Sequence, residues 1–149
     1  QNEWEVASGL RHIPFKAMDA GYEIDRNAYE AYFRELKKQF PRCRRMLIAL
    51  RNQITSAHHT LTGVLYADDK LYTTRIYDIQ PIIDPMGVGD AFVAAFIHAR
   101  QRWADDDQRC LDFALAASAM KNTVPGDQNL VTEQEIIAMM GNTTGRIER

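Results

Sequence analysis

The stretch Ile82-Ile83-Asp84-Pro85-Met86-Gly87-Val88-Gly89-Asp90-Ala91-Phe92 sets two glycines and an aspartate between an apolar pair and an apolar run. Gly87 and Gly89 can adopt backbone conformations closed to other residues, so the chain can turn sharply and approach a ligand closely. The run that follows, Ala91-Phe92-Val93-Ala94-Ala95-Phe96-Ile97, holds good helix formers and no breaker. The turn therefore opens a helix, whose free N–H groups and positive dipole end favour an anion. Asp90 falls in or beside the first turn, and two roles stand open for it. One is an ordinary N-cap; the other is a carboxylate beside a phosphate-sized hole, the arrangement phosphoryl transfer needs.

Outward from this turn, strands and helices alternate. Asp25 caps a helix running to about Gln39, with Tyr29, Tyr32, Phe33 and Leu36 at helical spacing; Phe40-Pro41 ends it. An aromatic stripe of that spacing is core rather than a stacking box. Arg45 to Leu50 reads as a buried strand, continuous in apolar character as parallel strands are. Gly63–Ala67 and Leu71–Tyr77 read as a hairpin around the acidic turn Asp68-Asp69-Lys70, and Ile82-Ile83 as a short strand feeding the glycines. Helices are expected at about Asp90–Trp103 and Gln108–Lys121. Thr132-Glu133-Gln134-Glu135 is a capping box for a last helix through Met140, closed by Gly141. Asn2 to Asp19 reads as irregular with a short helical turn, and Thr143 to Arg149 as a frayed tail. The alternation predicts an α/β layered fold with an at least partly parallel sheet.

A chain of 149 residues fits one domain, and that size buries roughly 68–70% of its unfolded surface. With 46% hydrophobic and 26% charged residues it has the make-up of an ordinary globular protein. A net charge of −2, with only Arg42, Arg44 and Arg45 grouped, gives no basic field for nucleic acid. No apolar run approaches the ~20 residues that span a bilayer. Cys43 and Cys110 suit a reducing compartment, and His12, His58, His59 and His98 show no zinc spacing with them.

Asp84 through Phe92 resembles the D-x-x-G-x-G-D-x-F signature of the ribokinase-like (phosphofructokinase B) carbohydrate kinases. It is nearest the I-V-D-R-V-G-G-G-D-x-F form of the 2-keto-3-deoxygluconate kinases. Three further segments match in order. Gln1-Asn2-Glu3-Trp4-Glu5 resembles the family's N-x-x-E motif at Asn2 and Glu5. The strand at Met46 to Leu50 and its hairpin resemble the nucleotide-binding half. Lys121-Asn122-Thr123-Val124-Pro125-Gly126-Asp127-Gln128-Asn129 is similar to the later T-x-x-G loop in its P-G-D form.

The resemblance implies a ribokinase-like layered fold with a mostly parallel sheet flanked by helices, of which residues 1–149 are the nucleotide-binding, C-terminal portion. The sugar-binding and lid half is then absent, and this portion alone is expected to be inactive. The implied activity is ATP-dependent phosphorylation of a small sugar acid, foremost 2-keto-3-deoxygluconate, in the cytoplasm, by a homo-oligomeric parent. Fructose or ribose as acceptor, or a catalytically silent nucleotide-binding domain, are the alternatives. A dinucleotide-binding oxidoreductase fits worse, because the glycines lack the G-x-G-x-x-G spacing and no acidic residue follows at the right distance.

Asp90 is the implied general base, and the N–H groups of Gly87, Val88, Gly89 and Asp90 the implied anion hole for the ATP phosphates. Val88 serves only through its N–H, whereas a Cβ at Gly87 or Gly89 is expected to clash or strain the turn. Asp84 either caps the turn through backbone N–H groups or helps hold a monovalent cation, K+ in the family. Carbonyls near Lys121, Val124 and Gly126 would complete that cation site. Pro85 and Met86 depart from the family pattern and leave cation dependence open. Asn2 and Glu5 would act through Mg2+. Asp127 is either a substrate contact or a solvated turn residue. Relatives carry T-L-G-x-x-G after the strand where this chain has Ala49-Leu50-Arg51-Asn52-Gln53, so Arg51 is either a phosphate contact or a surface arginine. Ser56 opens a stretch similar to S-A-S-x-N, in which His59 stands where Asn is expected; neither His58 nor His59 is given a catalytic role.

Overall fold

The computed structural model describes residues 24–142 in full and the backbone of residues 17–18, 21–22 and 146–147. Two short strands, β1 (Ala17–Met18) and β2 (Gly21–Tyr22), form an antiparallel pair. Helix α1 (Arg26–Gln39) follows, and its start is set by Asp25, whose side chain accepts the Ala28 N–H at 3.0 Å. Its buried face is the expected one: Tyr29, Tyr32, Phe33 and Leu36.

The main sheet is built on β4 (His58–Ala67), buried along nearly its whole length. Strand β3 (Arg45–Thr55) pairs with one edge of β4; β5 (Lys70–Thr73) and β6 (Tyr77–Ile79) share the other. Alternation along β4 serves two cores. Val64 and Tyr66 face α1, where the Phe33 and Tyr66 rings stack at 5.7 Å; Leu61 and Leu65 face the helices of the opposite layer. That layer holds α2 (Val88–Arg102), α3 (Asp107–Lys121) and α4 (Glu133–Gly141). Helix α3 is buried almost all round, and its alanines at 114, 116, 117 and 119 let it sit between β4 and α2. Asp107 at its start accepts from Arg45 Nε at 2.8 Å and Arg100 Nη1 at 3.0 Å, joining β3, α2 and α3.

The layered α/β architecture agrees with the expectation, but the mostly parallel sheet does not. Among the described residues every pairing of the main sheet is antiparallel except that of β6 with β7 (Arg146–Ile147). The cause is the length of the connections. Ser56-Ala57 joins β3 to β4, and Asp68-Asp69, with φ of 48° and 59°, joins β4 to β5; turns this short permit only antiparallel neighbours. Only the path through α2, α3 and α4 is long enough to bring a strand back in parallel. Strand β3 also runs on to Thr55, past the expected end at Leu50, and Ile82-Ile83 is not a strand. It is an extended link tied at both ends: Ile82 N–H donates to Ala57 O at 2.9 Å, and Ile83 N–H to Asn122 O at 2.8 Å.

Candidate active site

Gly87 is the N-cap of α2, with φ of 72° in the left-handed region. A Cβ built there would lie 2.2 Å from the backbone oxygen of Asp127, so only glycine lets the later loop pack against the turn. The first helical bond runs from Ala91 N–H to Gly87 O at 2.8 Å. The N–H groups of Val88, Gly89 and Asp90 precede that ladder at the helix start. The start is braced from behind, where the Ser118 hydroxyl of α3 donates to Val88 O at 3.0 Å.

Gly89 corrects an expectation. A Cβ there meets nothing within 4 Å, and its φ is not positive, so the fold itself does not demand glycine. Gly89 and Asp90 are exposed and line the mouth of a cavity of about 760 Å3, walled by residues of α1, β3 and α2, Phe33, Met46, Ile48 and Phe92 among them. Among the described residues the Asp90 side chain makes no hydrogen bond or ion pair. It is in the first turn of α2 but is not its cap, since Gly87 is.

Asp84 is the knot between the turn and the loop after α3. Its Oδ1 accepts Met86 N–H at 2.9 Å and its Oδ2 accepts Gly126 N–H at 2.8 Å. The Met86 bond, then the Gly126 bond, and last the Lys121 charge hold its carboxyl below the usual carboxylate range. Asp127 and its neighbours thus lie against Gly87 through backbone. The Asp127 side chain is exposed.

Several described oxygens beside the expected monovalent-cation position already accept hydrogen bonds. The last carbonyls of α3 are already capped: Ser118 O by Asn122 Nδ2 at 3.0 Å, Met120 O by Thr123 Oγ1 at 2.7 Å, and Lys121 O by Val124 N–H at 3.1 Å. Val124 O accepts the Lys121 ammonium at 2.9 Å, and that side chain is 0% exposed. No group of three or more His, Cys, Asp or Glu among the described residues is arranged to hold a metal ion. Asn2 and Glu5, the expected magnesium residues, lie outside the described residues.

Arg51 is exposed near the end of β3, and Ser56 is exposed at the tip of the β3–β4 hairpin. That tip is linked to the segment before the glycine turn by the bond from Ile82 N–H to Ala57 O. His59 is 3% exposed, and neither ring nitrogen has a hydrogen-bond partner among the described residues. Burial first, then the charges of Arg51 and His58, hold its pKa below the ordinary 6.5. Two residues have roles that the sequence did not assign them, Lys121 having been read only for a carbonyl near it. Asn122 is buried and its carbonyl accepts both Ile83 N–H and Asp84 N–H, at 2.8 and 3.2 Å; the Lys121 ammonium is the other. The only local signal was a polar pair closing an alanine-rich helix just before Pro125-Gly126.

The family model of the pfkB family carbohydrate kinases matches residues 61–134, a span that contains both the glycine turn and the P-G-D loop. Over residues 61–134 the chain is similar to that kinase family. No curated protein sequence matches the chain. Three solved structures share the fold. A PfkB family carbohydrate kinase from Listeria grayi aligns with TM-score 0.71 and 28% identity over 74% of this chain and 34% of its own. The 2-dehydro-3-deoxygluconokinase of Thermotoga maritima gives 0.78 and 24% over 94% of this chain and 39% of its own. A putative 2-keto-3-deoxygluconate kinase from Enterococcus faecalis gives 0.72 and 15% over 95% and 38%. The chain therefore spans between a third and two fifths of the length of these kinases. Among the described residues no helix is long and apolar enough to cross a membrane.

Proposed function

We propose that this chain is the phosphoryl-transfer portion of an ATP-dependent sugar kinase whose acceptor is a small sugar acid, foremost 2-keto-3-deoxygluconate. The observation that carries the reading is the helix start at Gly87: three N–H groups precede the helical ladder, and an unpartnered Asp90 stands beside them at a cavity mouth. Those donors would take the charge spread over the transferring phosphoryl oxygens. Asp90 would accept the proton of the sugar hydroxyl as its oxygen bonds to the γ-phosphorus and the bond to the β,γ-bridging oxygen breaks, releasing ADP. Magnesium, with ATP, is what the kinase family uses; when bound it neutralises phosphate charge, and Asn2 and Glu5 are the residues proposed to reach it.

The acceptor is argued from the P-G-D loop, Pro125-Gly126-Asp127, and from the names borne by two of the solved kinases. Asp127 is proposed to meet substrate hydroxyls, and Arg51 and Ser56 to meet the nucleotide. A second, sugar-binding portion, a homo-oligomeric whole and a cytoplasmic location belong to the same proposal.

The test is ATP turnover by the full-length protein that carries this chain, offered 2-keto-3-deoxygluconate, gluconate, fructose and ribose. Turnover selective for the keto-deoxy acid is expected. Asp90→Asn should lower kcat by about 10²–10⁴ with little change in ATP affinity. Selective turnover of fructose or ribose would reassign the acceptor. ATP binding with no turnover of any sugar would make this a silent nucleotide-binding domain.

A further inference from the structure

We propose that the Lys121 ammonium takes the place of a monovalent cation behind the glycine turn, so that the protein carrying this chain needs no potassium. The inference rests on reading Gly87–Asp90 as the phosphate turn of a kinase. A fully buried ammonium is costly unless its surroundings supply negative potential. Here three sources converge on it. Lys121 is the last residue of α3, at the negative end of the helix dipole. Its Nζ donates to Val124 O at 2.9 Å, its one hydrogen bond among the described residues. Asp84 lies close enough for the two charges to interact, though without an ion pair.

A free cation would need several oxygens turned toward it. The α3 carbonyls that would serve are instead engaged by Asn122, Thr123 and Val124. A tethered ammonium supplies the same charge with one bond and no loss of translational freedom. Its effect on the chemistry is indirect, which makes Lys121 a positioning residue. It holds Val124; Gly126 N–H then meets Asp84, and the Asp127 backbone packs on Gly87, where the helix start is formed.

The test uses the full-length protein, its thermal midpoint and ATP turnover read in potassium chloride and in tetramethylammonium chloride at equal ionic strength. Wild type is expected to give the same midpoint in both salts and turnover within twofold. Lys121→Ala leaves room for a cation. It is expected to lose tenfold or more in turnover and to regain most of it with potassium or n-propylammonium, but not with tetramethylammonium. Tenfold activation of wild type by potassium, or a potassium-dependent rise in its midpoint, overturns the proposal. So does a folded Lys121→Ala protein indifferent to all three cations. If Lys121→Ala does not fold, the wild-type arm alone decides. Absence of turnover with every sugar would refute the kinase reading, while the midpoint of wild type in the two salts still decides the role of Lys121.

Discussion

At position 87 the backbone sits at φ 72° and an added Cβ would come within 2.2 Å of the Asp127 carbonyl oxygen, so alanine there must push the loop away or abandon the turn. At position 89 the same methyl meets nothing within 4 Å. Gly87→Ala should therefore destabilise the fold by about 1–3 kcal/mol or more. Gly89→Ala should change stability by about 0.5 kcal/mol or less, yet lower ATP turnover by roughly tenfold or more, because under the proposed function the new methyl would occupy the space of a phosphate. Denaturant unfolding of both variants, with turnover of the parent, separates fold from ligand; equal losses of stability would refute the distinction. His59 makes a second prediction of this scale. Its folded pKa lies below 6.5 because burial first, then the neighbouring Arg51 and His58, disfavour the charged ring. The unfolded chain then binds the proton more readily, so stability is full above about pH 6.5 and falls as acid takes the pH down through the folded value. Both ring nitrogens lack partners among the described residues, so His59→Leu should cost little at pH 8 and should flatten the decline below pH 6.5. Parallel pH profiles of wild type and variant would count against this.

Helix α4 stands on a complete capping box: Glu135 N–H donates to Thr132 Oγ1 at 3.3 Å, and Glu135 Oε2 accepts Thr132 N–H at 2.8 Å. Helix α4 is tied to α2 through Glu133, which meets His98 at 2.9 Å and Arg102 at 3.0 Å. Thr132→Ala should cost about 1 kcal/mol, a fall in melting temperature of roughly 2–4 °C for a chain of this size; an unchanged melting curve would show that the box adds nothing. Such caps were legible in the sequence because they are local: Thr132 and Glu135, Asp25 before α1, and the acidic hairpin turn each declare themselves within four residues. The long β3–β4 hairpin was not. Its outer part, Arg51 to Thr55, is polar and mostly exposed, without the apolar run that marked Arg45–Leu50. Its partner in β4 is fixed by pairing across the sheet, which no short window contains. The site divides the same way. Gly87 and Asp90 stood out as a motif, whereas Lys121 was read only for a carbonyl near it and the burial of its ammonium was not, and Asn122 holds Ile83 and Asp84 through a backbone carbonyl.

For the molecule as a whole, the decisive fact is how much apolar surface remains uncovered beside the site. The cavity between α1, β3 and α2 is walled mostly by Tyr, Phe, Leu, Met, Ile and Val side chains. On α2, Val93 and Ile97 are 53% and 56% exposed, and Met86 just before it is 63% exposed. The outer edge of β3 pairs with no other strand among the described residues along eleven positions. An unpaired strand edge next to an apolar groove is a template for association. The solved kinases of this fold are longer chains, of which the part aligned with this one is only 34–39%. The 149-residue chain made by itself should therefore self-associate and bind a hydrophobic dye, with the scattered mass rising with concentration. Val93→Lys combined with Ile97→Glu should reduce both signals without altering the melting temperature by more than about 2 °C, since both side chains are largely in solvent. A monodisperse monomer that binds no dye would show that the exposed face is tolerated in isolation, and would remove the argument that Asp90 borders a surface built to be covered.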